Sequence, residues 1–170
     1  MMKILFAASE AVPFIKTGGL ADVVGSLPKY FDKEKYDVRV MVPKYLCIRQ
    51  ELREKMKFVD KFYVKMNWRT QYVGIDEMEY DGVKYYFVDN EYYFNRGALY
   101  GYLDEAERFA YFSKVAATLP QLVGFYPDIV HAHDWSSALT LIYINQKYRQ
   151  VAGYHDVKLV YTIHNIEYQG

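Results

Sequence analysis

The fold is decided by Lys3–Ser9, KILFAAS, and by Lys16–Pro28, KTGGLADVVGSLP, which follows after a short connection. The first stretch is almost continuously apolar, a pattern typical of a buried strand in a parallel sheet. In the region of the second stretch, apolar residues recur at helical spacing, at Leu20, Val23, Val24, Leu27 and Phe31. They predict a helix over 20–31 despite Gly25 and Pro28. A strand, a glycine-rich turn and a helix in this order indicate an α/β fold.

The rest of the chain continues this alternation, with one β-rich interruption. We predict strands over Asp37–Pro43, Asp128–His133 and Lys158–His164, and helices over Tyr45–Met56, Glu105–Leu119 and Ser136–Arg149. Pro120 is expected to end or kink one helix, and Ser136 to cap another. Residues 58–90 are rich in β-formers with a hairpin signal at Asp81-Gly82, which predicts two or three antiparallel strands. The predicted fold class is a Rossmann-like, open, mostly parallel α/β sheet with a small antiparallel β insertion.

Composition excludes several classes of partner. The 170 residues suit one domain, and 52% hydrophobic with 25% charged residues is ordinary for a globular protein. Lysine plus arginine equals aspartate plus glutamate, at 21 each, so overall charge gives no reason to expect nucleic acid or a membrane surface as partner. No run approaches the ~20 apolar residues of a membrane helix. Cys47 is the single cysteine, which fits a reducing, cytoplasmic location.

The chain contains 19 tyrosines, and two interpretations of them stay open. They are either a compositional preference that fills half-buried strand positions, or in part the lining of a carbohydrate groove. An aromatic ring with a polar tip suits the second role, because sugars present both apolar faces and hydroxyl groups.

The KTGG turn is the first candidate site. Gly18 and Gly19 would let the backbone turn sharply and approach a ligand, and the free amides of the following helix would point at it. Lys16 adds a mobile cation and Thr17 a hydroxyl group, so the turn suits a phosphate. It matches neither the Walker loop nor the dinucleotide fingerprint. The alternative is a glycine-rich strand-to-helix turn that binds nothing.

HAHDW, residues 131–135, ends the third predicted core strand. Alternation places His131 and His133 on one face, which could be half of a metal site, although His131 is more simply a satisfied core histidine. Asp134 can accept hydrogen bonds from hydroxyl groups. Trp135 offers a face for a sugar ring or for packing. We therefore favour a polar strand end over a metal site.

HNIEYQG, residues 164–170, follows the last predicted strand and begins with His164 and Asn165. A histidine here can donate to a ligand oxygen or titrate near neutral pH, or it can simply cap the strand end. Because parallel strands end at one edge of a sheet, the three motifs are expected to converge. The sequence thus predicts one site with a phosphate-binding turn, an aspartate, a tryptophan and a histidine. It shows no activated serine or cysteine and no paired carboxylates.

Three ordered segments, MKILFAASEAVPFIKTGGLADVVGSLPKYF, DIVHAHDWSSAL and YTIHNIEYQG, resemble the bacterial glycogen synthase and plant starch synthase family of retaining glucosyltransferases. LYGYLDEAERFAYFSKVA resembles the segment between them. The resemblance is collinear over the whole chain. It implies a GT-B enzyme, in which two Rossmann-like domains face each other across a cleft. Residues 1–170 would be its amino-terminal, acceptor-side domain, truncated before completion and without the carboxyl-terminal nucleotide-sugar domain.

The resemblance also implies an activity and partners. A family member transfers glucose from ADP-glucose to the non-reducing end of an α-1,4-glucan such as glycogen, with retention and without a cofactor or metal. The missing carboxyl-terminal domain of the same chain would hold most of the donor. An isolated 1–170 fragment would therefore have little or no activity.

Site residues follow from the resemblance as well. The donor would contact Lys16, Thr17, Gly18, Gly19 and Asn165. Asp22 would brace the turn, and His164 would approach the transferred glucose as the candidate catalytic residue. The acceptor glucan would lie against Asp134, Trp135 and, in a loop of variable length, Tyr100.

Three alternatives stay open. A GT-B transferase could use another nucleotide sugar, as sucrose or trehalose-phosphate synthases do. A non-catalytic glucan-binding or regulatory module could keep this half of the cleft. A flavodoxin-like nucleotide binder is disfavoured, because it explains neither HAHDW nor HNIEYQG.

Overall fold

A computed structural model describes all 170 residues, and its centre is one seven-stranded sheet in the order β3-β4-β5-β2-β1-β6-β7. The strands are β1 (Met2–Ala7), β2 (Tyr36–Pro43), β3 (Lys57–Met66), β4 (Arg69–Tyr80), β5 (Val83–Asp89), β6 (Ile129–His133) and β7 (Lys158–Thr162). Strands β5, β2, β1, β6 and β7 are parallel neighbours, whereas β4 is antiparallel to both β3 and β5. The predicted fold class, with its antiparallel insertion, is confirmed.

The helices differ more from the sequence-based expectation. They are α1 (Gly19–Ser26), α2 (Gln50–Arg53), α3 (Glu91–Phe94), α4 (Glu105–Val123) and α5 (Trp135–Tyr143). A 3₁₀ turn at Leu27–Tyr30 extends α1, and a π turn at Ile144–Tyr148 extends α5. The helix predicted over Tyr45–Met56 shrinks to the single turn of α2.

Two predictions about helix ends were wrong. Pro120 lies inside α4, which continues to Val123 and ends on Gly124 in the left-handed conformation at φ 62°. The N-cap of α5 is Asp134 rather than Ser136. The Ser136 hydroxyl instead donates to Ser9 Oγ at 2.9 Å, so it links α5 to the loop after β1.

Asp81 and Gly82 form the predicted hairpin turn between β4 and β5. Both have positive φ, 50° and 70°, as the mirror-image turns of two-residue hairpins require. Gly25, which looked out of place in a helix, is also explained. A Cβ there would come within 2.2 Å of the Val12 carbonyl oxygen, so α1 packs directly on the loop before it.

The core is the apolar centre of the sheet and the elements packed on it. Phe6, Val40 and Val130, on three adjacent parallel strands, are at most 1% exposed. Phe14, in the loop after β1, packs edge-on against Tyr85 and Phe87 of β5 at centroid distances of 4.8 and 4.9 Å. No helix is both long enough and apolar enough to cross a membrane. This rigid centre fixes the carboxyl edge of β1, β6 and β7, where the predicted site lies.

Candidate functional site

At the carboxyl edge of the sheet, hydrogen bonds join HAHDW directly to HNIEYQG, and Ser136, which follows HAHDW, to the loop after β1 that leads to the KTGG turn. The backbone N–H of His164 donates to Asp134 Oδ1 at 2.6 Å, which joins the ends of β7 and β6. The Ser136 hydroxyl donates to Ser9 Oγ, in the loop after β1. The structure thus brings together the loop after β1, the HAHDW strand end and the start of HNIEYQG.

The KTGG turn lies between β1 and α1, and Gly18 is the N-cap of that helix. No side chain caps the helix, so its first amide groups keep free hydrogens at the positive end of the dipole. Lys16 Nζ lies 2.7 Å from Asp22 Oδ2, and both side chains are about half exposed. The cation is therefore oriented by Asp22 rather than freely mobile, yet it stays accessible to a ligand.

The two glycines are not needed for the shape of the turn. Gly18 has φ −153° and ψ −166°, an extended conformation that any residue adopts, and Gly19 is an ordinary first helical residue. A Cβ at either position would meet nothing within 4 Å. The expectation that they permit a sharp turn was wrong. Their lack of side chains leaves open space beside both residues at the start of α1.

Glu10 anchors the turn through a buried carboxylate, since only 3% of the residue is exposed. One carboxylate oxygen accepts from the Thr17 backbone N–H, and the other accepts from the Thr17 hydroxyl at 2.6 Å and the Tyr100 hydroxyl at 2.7 Å. Tyr100 OH also lies 2.7 Å from Ser9 Oγ. Thr17, predicted as a donor contact, thus has its hydroxyl bound within the protein.

Asp134 occupies a backbone conformation that is rare for any residue but glycine. Its φ of 58° and ψ of 176° carry a strain of about 1–3 kcal/mol. Its N–H donates to the Thr162 carbonyl at 2.9 Å, and its carboxylate holds the His164 amide. Strain of this kind concentrates at functional sites.

Three histidine rings lie in a row beside Asp134. The rings of His131 and His133 stack at 4.0 Å, as expected from their shared face, and His133 Nδ1 lies 3.0 Å from His164 Nε2. His131 Nε2 pairs with Thr162 Oγ1 at 2.7 Å, consistent with a satisfied core histidine. Burial, reinforced by the two neighbouring rings, lowers the pKa of His133 to about 3, and burial lowers the pKa of His131 as well. His133 is therefore neutral at ordinary pH.

Trp135 and Tyr100 form an aromatic wall at the same edge. Trp135 packs edge-on against Phe109 at 5.0 Å and lies 6.3 Å from the Tyr100 ring. Burial raises the pKa of Tyr100, with the Glu10 carboxylate adding to the effect. A cavity of about 310 Å³ opens beside Trp135, lined by Asp134, Trp135, Tyr161, Ile163, Ile166, Tyr168 and Gln169, and Tyr100 does not line it.

Some sequence-predicted groups are not drawn into the network. The Asn165 side chain accepts from the Glu167 backbone N–H at 3.0 Å, a local turn contact on an exposed loop. No group of three or more His, Cys, Asp or Glu side chains is arranged to hold a metal ion. A second cavity, of about 270 Å³, lies at the opposite edge near the starts of β2 and β5, and it contains none of the predicted site residues.

Sequence reasoning did not predict the supporting role of four buried residues, two of which it had assigned to other roles, His133 as a possible metal ligand and Ser136 as a helix cap. They are Ser9, Glu10, His133 and Ser136, none more than 3% exposed. The available signal was Glu10 itself, the one charged residue in the otherwise uncharged stretch of residues 4–15. Such a residue is rarely buried without partners.

Fold and site together define a Rossmann-like α/β domain with an uncapped helix start and an aromatic-lined cavity at the carboxyl edge of its sheet, the edge at which such sheets bind ligands. Comparison with known proteins identifies its family. A family model described as the starch synthase catalytic domain matches residues 3–170, so the chain belongs to that family.

Individual relatives agree with this assignment. The glycogen synthase of Lachnospira eligens is 53% identical over 100% of this chain and 36% of its own length. That of Geobacillus stearothermophilus is 48% identical over 99% of this chain and 35% of its own length. The solved catalytic domain of starch synthase IV from Arabidopsis thaliana, bound to ADP and acarbose, has a TM-score of 0.81 at 28% identity, over 98% of this chain and 34% of that one. The chain spans about a third of the length of these relatives.

Proposed function

We propose that this chain is the acceptor-side, amino-terminal domain of a retaining glucosyltransferase that extends an α-1,4-glucan from ADP-glucose. Family membership and the relatives named glycogen synthase support this reaction. The single observation that carries it is the turn at residues 16–19, where an uncapped helix start, an accessible Lys16 and unobstructed glycines face one edge of the sheet.

The donor diphosphate is assigned to this turn. Helix amides and a lysine stabilise negative charge, which grows on the leaving diphosphate as the glucosyl group departs. Gly18 and Gly19 leave room for the phosphate oxygens, Thr17 fixes the turn through Glu10, and Asp22 aims Lys16. Asn165 supports the donor from the neighbouring loop. ADP in the related starch synthase structure is consistent with this assignment.

The acceptor glucan is assigned to the wall of Trp135 and Tyr100 and to the carboxylate of Asp134. Aromatic faces suit sugar rings, and Asp134 Oδ2 can accept from a hydroxyl group while Oδ1 holds the His164 amide. His164 contacts the transferred glucose. In the reaction the bond from glucose C1 to the β-phosphate oxygen breaks with its electron pair leaving on ADP. A bond from C1 to the acceptor 4-oxygen forms, and the proton of that hydroxyl goes to the departing diphosphate.

The second wall of the cleft is assigned to a carboxyl-terminal domain beyond residues 1–170, which would hold most of the nucleotide sugar. The reaction needs no metal or cofactor in this proposal, since amides and cations neutralise the leaving group. We place the protein in the cytoplasm, where a lone, exposed Cys47 would stay reduced.

The test is glucose transfer by the full-length protein from ADP-glucose to glycogen, with UDP-glucose in parallel. Transfer from ADP-glucose that falls strongly in Lys16→Ala and His164→Ala supports the proposal. Transfer from UDP-glucose alone would assign another donor. Glycogen binding without transfer from either donor would contradict the proposed enzymatic activity and favour a non-catalytic glucan-binding module.

A further inference from the structure

We infer that His133 is a positioning residue for His164: its Nδ1–H donates to His164 Nε2 and so keeps the proton of His164 on Nδ1, where it can be donated to a substrate oxygen. The part of this inference that concerns donation to a substrate rests on the proposed function. The tautomer of His164 is a property of the free protein.

The contact between the two rings is built into the sheet. His133 is the last residue of β6 and is 1% exposed, and its Nδ1 lies 3.0 Å from His164 Nε2. Ser137 brackets the backbone of His133, since its hydroxyl oxygen accepts from the His133 N–H at 2.8 Å and lies 2.8 Å from the His133 carbonyl. His164 is fixed in turn by Asp134. These bonds fix the backbone at both residues, and the contact between Nδ1 and Nε2 joins the two rings.

The environment of His133 Nε2 decides which ring donates. Nε2 is buried and has no hydrogen-bond partner, and the rings of Phe6 and His131 pack on His133 at 4.7 and 4.0 Å. A neutral imidazole carries one N–H and one lone pair. If His164 donated, the proton of His133 would have to sit on Nε2 as an orphaned buried N–H, which folded proteins rarely tolerate. The proton of His133 therefore lies on Nδ1.

Two properties of His164 follow. Its Nε2 accepts from His133, so its own proton lies on Nδ1, for which the chain offers no acceptor. A histidine free in water prefers the opposite tautomer, with the proton on Nε2. His133 thus fixes which nitrogen of His164 carries the proton and can donate it. Its own depressed pKa, about 3, keeps the pair from being reversed by protonation of His133.

The first experiment reads the tautomer directly. Long-range ¹H–¹⁵N correlation spectra of the ligand-free full-length protein, labelled at histidine, distinguish Nδ1–H from Nε2–H rings. We expect Nδ1–H for both His133 and His164 in the wild type, and a shift of His164 towards Nε2–H in His133→Phe. The matched control is His131→Phe, which removes a ring from the same stack but no atom bonded to His164. An Nε2–H signal for His164 in the wild type would overturn the inference.

The second experiment asks whether the tautomer matters to the reaction. His133→Phe should lower kcat for transfer from ADP-glucose about tenfold or more, as the loss of an oriented donor does, with a smaller change in KM. His133→Asn keeps an N–H on an atom bonded to Cγ, where Nδ1 was, and should recover most of the rate. Equal rates in Phe, Asn and wild type would contradict a positioning role. Absence of transfer by the wild type would refute the proposed function, while the spectra would still decide the tautomer.

Discussion

The KTGG turn and the strand-end cluster of Asp134, His133 and His164 lie at one edge of one sheet, yet they are built in opposite ways. The turn is open: its helix start is uncapped, its glycines touch nothing, and Lys16 is half exposed. The cluster is tightly bonded, with a strained Asp134 and a fully buried His133. Under the proposed function, the turn leaves its amide groups free for the donor, whereas the side chains of the cluster are oriented before any ligand binds.

Glu10 should show the largest effect, because it is where the open turn is anchored to the buried part of the site. Glu10→Ala leaves Thr17 and Tyr100 without their shared acceptor and should cost about 3 kcal/mol of unfolding free energy, together with nearly all transfer activity. Chemical denaturation and a transfer assay measure the two losses. Glu10→Gln keeps one acceptor oxygen and should lie between. A Glu10→Ala protein of normal activity would show that the anchor is dispensable.

Lys16→Ala should separate ligand binding from stability in the turn. Its ion pair with Asp22 is exposed and contributes at most about 1 kcal/mol, whereas loss of a cation at the diphosphate should lower kcat/KM for ADP-glucose about a hundredfold. Lys29→Ala is the matched control, since Lys29 forms a similar pair with Asp81, at 2.8 Å and away from the site. Equal losses in both variants would show that Lys16 has no special role.

Asp134→Gly tests whether the strained backbone conformation of Asp134 serves function rather than stability. Glycine relieves the conformation at φ 58° but removes the acceptor of the His164 amide, so stability should change by no more than about 1 kcal/mol. Transfer should nevertheless fall, and Asp134→Asn, which keeps an acceptor oxygen, should fall less. Thermal unfolding and transfer rates decide this. A stable, fully active Asp134→Gly protein would remove Asp134 from the site.

Lowering the pH should decrease the free energy of unfolding through His133. The unfolded chain takes up a proton on this imidazole below its ordinary pKa of 6.5, whereas the folded state does so only near 3. Between these values the unfolded state binds more protons, so stability falls with falling pH, by up to about 1.4 kcal/mol per pH unit. His133→Phe should make the unfolding midpoint less sensitive to pH between 6.5 and 4.5. An unchanged slope would contradict the neutral, buried state of His133.

The sequence predicted the open region better than the buried one. The KTGG turn can be recognised from its residue types alone. The apolar runs of β1, β6 and β7 predict that it lies at the same edge of the sheet as HAHDW and HNIEYQG. The support from Glu10, Ser9 and Ser136 depends on contacts between residues up to 127 positions apart, which no local pattern encodes. The prediction that Pro120 ends or kinks its helix was also wrong, because packing around α4 accommodates the proline within the helix.

The central claim is that the KTGG turn binds the donor diphosphate, and the double variant Gly18→Ala/Gly19→Ala tests it most directly. The added methyl groups meet no protein atom. Alanine is less favourable than glycine at the N-cap, position 18, but more favourable within the helix, at position 19, so the unfolding midpoint of the full-length protein should change little. If the donor diphosphate binds at this helix start, the same methyl groups would take up space that its oxygens need, so we expect kcat/KM for ADP-glucose to fall about tenfold or more. A protein that is equally stable and transfers glucose at the wild-type rate would contradict the claim.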